Sequence, residues 1–85
     1  MDIVKIDDPR LDESFSFLFA FRKGDAVLIK AQRESRGEIT DGVYIGDFPK
    51  HVAGVLNPRG LTLYEVKTAN DVLQIVDEKE LQKVS

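Results

Sequence analysis

The chain has 85 residues, 42% of them hydrophobic and 32% charged, with a net charge of −3 and no cysteine. That length accommodates a single domain over 1–85, and the missing cysteine excludes disulfides, thiolate metal sites and cysteine nucleophiles, leaving the core to supply the stability. No apolar run approaches the ~20 residues a membrane-spanning helix needs, and Met1-Asp2-Ile3-Val4 lacks the basic start of a leader, so a cytoplasmic protein is expected.

Charge is unevenly distributed: segments 1–21, 22–59 and 60–85 carry −3, +2 and −2. A basic middle between acidic ends leaves room for a local basic patch. The overall acidity disfavours nucleic acid, whose binding draws most of its affinity from phosphate neutralisation.

In chain order, Ile3, Val4 and Ile6 suffice for a short edge strand, and Asp7-Asp8-Pro9-Arg10 follows as a loop because Pro9 keeps Asp8 out of the helical region. Ser14 to Phe21 alternates Phe15, Phe17, Phe19 and Phe21 against small or polar residues, which favours a strand. The alternative is a helix over about 12–23, with Asp12 as N-cap, a stripe of Leu11, Phe15, Leu18 and Phe19, and Gly24 at C′. Arg22-Lys23-Gly24-Asp25 is a tight turn with Gly24 at positive φ, leading into a strand from Ala26 that puts Val27, Ile29 and Ala31 on one face.

Gln32 to Arg36 is wholly polar and reads as an exposed loop. In Gly37 to Phe48, Asp41-Gly42 fits either a hairpin turn joining 38–40 to 43–45 or a bulge at Gly42 in one long bent strand. Pro49 ends that run, Val52 to Leu56 resumes it, and Asn57-Pro58-Arg59-Gly60 has the composition of a type I turn. Leu61 to Thr68 is apolar on much of both faces, as befits a central strand. Ala69-Asn70-Asp71 turns the chain back, and Val72 to Val76 is the next strand. Asp77 and Glu80 have capping-box spacing for one helical turn that tucks Leu81 inward, and Val84 closes a last short strand.

The succession FRKGDAVLIKA, EITDGVYIGD and LTLYEVKTANDVLQIVDEKEL resembles the SH3-like small β-barrels over Phe15 to Val84. The resemblance implies a mainly β fold, a single small barrel with a short helical turn near the C-terminus; the helix at about 12–23 would make the class α+β instead. Signalling members of that class read proline-rich ligands through a tyrosine-bearing motif and a groove tryptophan. This chain has no tryptophan, and only Asp7-Asp8-Pro9 stands where the motif would lie.

Candidate chemistry is sparse. His51, the only histidine, would need partners such as Ser35 and Asp47 to act as a base, and no spacing favours them over an exposed histidine beside Lys50. Asp7, Asp8, Asp12 and Glu13 read as a solvated acidic loop rather than a calcium loop. Gly37, Gly42 and Gly46 match no phosphate-binding spacing and read as strand corners. Arg33, Arg36, Lys50 and Arg59 read as a dispersed surface, with Glu34, Asp41 and Asp47 interleaved. No catalytic residue, metal or cofactor is assigned.

Tyr44, Phe48, Pro49 and Tyr64 are the aromatic and proline residues suited to a peptide groove. If Val43 and Ile45 face the core, Tyr44 points outward. The resulting expectation is a non-catalytic protein-interaction module that docks a protein partner through Tyr44, Phe48, Arg36 and Arg59. The alternative is a nucleic-acid-binding small barrel using the basic middle segment.

Overall fold

A computed structural model describes residues 2–9, 11, 18–32, 35–46 and 60–84. The protein is mainly β: β1 (Asp2–Lys5), β2 (Ala26–Ile29), β3 (Ser35–Gly46), β4 (Gly60–Thr68), β5 (Leu73–Asp77) and β6 (Leu81–Lys83). Single 3-10 turns cover Lys30–Gln32 and Glu78–Glu80. All pairings are antiparallel, in the order β5-β4-β3-β2-β6. The strand that leaves β5 through the 3-10 turn thus returns to the opposite end of the sheet, beside β2.

β3 organises the sheet. One edge pairs with β4 from Gly37 to Gly46, while the other takes β2 opposite Ser35–Glu38 and β1 opposite Val43–Gly46. The register against β4 slips between Ile39 and Asp41, so Thr40 is the extra residue of a bulge whose hydroxyl donates to the Glu65 carbonyl at 3.1 Å and carboxylate at 2.9 Å. Of the two sequence readings, the long bent strand is the correct one, with the bulge two residues before Gly42. Ser35 and Arg36, expected in a loop, open this strand because they complete the ladder to Ile29 and Leu28.

The Arg22–Asp25 turn forms as its sequence predicts, with Gly24 at φ 93°. Arg22 N–H donates to the Asp25 carboxylate at 2.9 Å, and the turn docks on the bulge: Gly24 N–H donates to Ile39 O at 2.8 Å and Ile39 N–H to Asp25 O at 2.9 Å. Two orphan groups left by the irregular ladder are thereby satisfied.

The segment before the turn departs from expectation. Phe19–Asp25 are bends and turns, neither strand nor helix, and Ser14–Phe17 lie outside the described residues. Phe21 N–H donates to Tyr64 Oη at 3.2 Å and Ala20 N–H to Glu78 Oε2 at 3.1 Å, so these amides are satisfied by side chains rather than by a ladder. Of the alternating aromatics, Phe19 and Phe21 serve packing rather than a ladder. Phe19 and Phe21 meet Tyr64 edge-on, with ring centroids 6.1 and 5.4 Å away.

The core lies on one face of the sheet. Its main cluster is Phe21, Val27, Ile29, Ile39, Tyr64, Val66, Val76 and Leu81, and a second joins Val4, Leu18 and Tyr44. Phe19 packs against both. The 3-10 turn after β5 is capped by Asp77, whose carboxylate accepts from Lys79 N–H at 2.9 Å, and it delivers Leu81 into the core as its spacing predicts.

Candidate interaction surface

The bulge fixes which side chains leave the core. Before Thr40, Gly37 and Ile39 face inward; after it, Gly42, Tyr44 and Gly46 do. An unbulged strand with Ile39 inward would have kept Asp41, Val43 and Ile45 inward and sent Tyr44 to the surface. One extra residue reverses that parity.

Tyr44 is therefore 1% exposed, and its ring rests on Gly60, where a Cβ would meet ring atoms at 2.5 to 2.6 Å. The expectation that Tyr44 offers a contact at the surface is corrected. Tyr64, also assigned to a groove, is equally buried. Its hydroxyl donates to Glu78 Oε2 at 2.6 Å; burial first, and the neighbouring carboxylate second, push its pKa well above the ordinary phenol range. Arg36 is exposed at the β2 end of β3, beside a shallow depression of about 410 Å³ that Glu38, Lys67 and Thr68 also line. Lys67 is itself engaged by Asp71 at 3.2 Å. Phe48 and Arg59 lie outside the described residues, as do Pro49, His51, Arg33, Lys50, Asp12 and Glu13. Of the acidic loop, Asp7 pairs with Lys23 at 3.2 Å.

What the parity switch puts outside is aliphatic. The register aligns Ile3, Ile45 and Leu61 in one row across β1, β3 and β4, and Lys5, Val43 and Leu63 in the next. Directly opposed residues point to the same face, so these rows form a continuous strip. Ile3 is 66% and Leu61 43% exposed, and Val43, Ile45 and Leu63 are half-buried. Further along the face, Ile75 is 67% and Leu73 56% exposed on β5.

A shallow depression of about 150 Å³ opens beyond the second row, where Lys5, Val43 and Leu63 face Asp41, Glu65 and Ile75. Its rim carries an ion pair, Lys5 Nζ to Asp41 Oδ2 at 2.9 Å, and Asp41 Oδ1 accepts from Gly42 N–H at 2.8 Å. Those hydrogen bonds and the opposite charge lower the Asp41 pKa, and the hydrogen bond to Asp41, followed by its charge, raises that of Lys5. The surface is thus an apolar floor with a fixed polar edge.

The sequence pattern hides this face, because apolar residues on both sides of Leu61–Thr68 read as a strand buried on both sides. The outward set Leu61, Leu63, Glu65 and Lys67 was its signal. The chain matches no family model, no characterised protein and no solved structure.

Proposed function

We propose that the chain is a non-catalytic protein-interaction module on an SH3-like scaffold, and that it docks an apolar protein surface on the outer face of β1, β3 and β4. Supporting the scaffold are the return of β6 beside β2, the glycine turn docked on a bent β3, and the 3-10 turn before the last strand. The observation that carries the docking reading is the row Ile3, Ile45 and Leu61, its two ends exposed although a filled core lies on the other side of the same strands. Contiguous apolar surface with a polar rim is the anatomy of an interface, in which the buried centre gives affinity and the charged edge gives orientation.

Among the described residues, the polar groups at the centre of the interior are occupied structurally, since Tyr64 donates to Glu78 and the two accept from the amides of Phe21 and Ala20. A nucleic-acid surface is less well supported. Arg36 and Lys67 stand beside Glu38 and Asp71, so the described charges around them alternate in sign rather than form a basic track.

The test starts from a partner captured from source lysate, purified and titrated back against wild type and variants. Leu61→Lys and Ile3→Lys, both at exposed positions, should leave the fold intact and weaken binding at least tenfold. Arg36→Ala, Phe48→Ala and Arg59→Ala in the same titration measure the contribution of each. Unchanged affinity for both lysine variants would remove the outer face as the docking site.

A further inference from the structure

We infer that the protein self-associates through β5, pairing antiparallel with β5 of a second copy about a two-fold axis at Ile75. Among the described residues, β5 is an end strand of the sheet, bonded on one side to β4 and on the other to no strand. The hairpin shows which of its backbone groups face that open side. Thr68 N–H donates to Val72 O at 2.9 Å, and Lys67 is paired with Leu73, Val66 with Gln74 and Glu65 with Ile75. Antiparallel ladders alternate hydrogen-bonded and non-bonded pairs, so Gln74 and Val76 bond to β4, while the N–H and C=O groups of Leu73, Ile75 and Asp77 point away from it.

Open edges are normally blunted by lysine, proline, brevity or a bulge. β6 has three residues, one of them Lys83, and β1 carries Lys5. By contrast β5 reads Leu-Gln-Ile-Val-Asp, with no basic residue, proline or glycine and an unbroken register to β4. Among the described residues it is the edge of this sheet left open to pairing.

A two-fold axis makes the contact isologous, so the strand must complement itself. Centring on Ile75 sets Ile75 against its own copy, a pair that exchanges both N–H···O bonds, and Leu73 against Asp77 of the second copy, whose N–H donates while its carbonyl opens the 3-10 turn. Charge supports this register. Asp77 is the only charged residue in β5. It falls opposite a leucine, with Lys67 on the far side of that leucine in β4, and about 13 Å along the strand from its own copy, beyond the screening length of physiological salt. Centring on Asp77 would instead oppose the two carboxylates. Self-pairing here leaves the Ile3–Leu61 row uncovered, so this contact and partner docking stand or fall separately.

Sedimentation equilibrium over about a hundredfold concentration range reads the association directly. Wild type should pass from monomer to dimer, and Ile75→Lys, which opposes two ammonium groups at the axis, should move the midpoint at least tenfold upward while its amide NMR spectrum stays folded. Cysteine variants read the register. Opposed Cα atoms of a bonded pair lie about 5.5 Å apart, within disulfide reach, so Ile75→Cys should oxidise to a covalent dimer. Leu73→Cys, about 13 Å from its copy, should not. A wild type that stays monomeric throughout, a dimer unaffected by Ile75→Lys, or cross-linking of Leu73→Cys as fast as Ile75→Cys would overturn the inference.

Discussion

The two faces of β4 differ little in apolar character and entirely in fate. Inward, Thr62, Tyr64 and Val66 meet the Leu18–Phe21 segment and the 3-10 turn; outward, Leu61, Leu63, Glu65 and Lys67 meet the edge of an ion pair and solvent. Hydrophobicity alone does not separate them. Polar partners do: Thr62 Oγ1 donates to Leu18 O at 3.0 Å, and Tyr64 ties Phe21 to Glu78. A strand with two apolar faces is assigned its interior by whichever side offers hydrogen bonds to the groups that go in. The other side is left for interaction.

The most severe way to break this contrast is Phe21→Ala. It empties a site 7% exposed and removes an edge contact with Tyr64, for an expected cost of about 3–5 kcal/mol in denaturant unfolding. Tyr64→Phe is subtler, keeping the ring while orphaning the Phe21 amide and removing a donor from Glu78. About 1–3 kcal/mol should be lost.

On the outer face the effects are small and set by solution conditions. Because the folded pKa of Asp41 lies below its unfolded value, its contribution is present above about pH 4 and is lost as the pH falls through the folded value. That of Lys5, whose folded pKa is raised, persists below its ordinary value and disappears only as alkaline pH passes the raised one. Both side chains are partly exposed, so salt screens the pair. Asp41→Asn should therefore melt slightly below wild type at neutral pH, and the difference should shrink in strong salt and vanish as acid carries the pH below the folded value.

Much of the architecture was legible. Gly24 announced its turn, the Asp77 cap and Leu81 announced the 3-10 turn, and Ala69–Asp71 closed the β4–β5 hairpin, with Asp71 taking the left-handed conformation at φ 60°. What failed was facing. Period-two reasoning carries a phase from one residue to the next, and a bulge resets it without any glycine to mark the spot: Thr40 is β-branched and looks like an ordinary strand residue. The candidate contact Tyr44 fell with that phase. Phe19 and Phe21 misled for a related reason, since their alternation reflects packing on Tyr64 while their segment's amides find side-chain acceptors, which no local pattern reveals.

The facing of the sheet is tested most directly by solvent paramagnetic relaxation in NMR, using a soluble gadolinium chelate and methyl- and aromatic-labelled protein. The structure predicts strong broadening of the Ile3 and Leu61 methyls, with the Val4, Ile39 and Val66 methyls and the Tyr44 ring spared. Broadening of the Tyr44 ring as strong as that of Ile3, with Leu61 protected, would contradict the parity switch and the interaction face built on it.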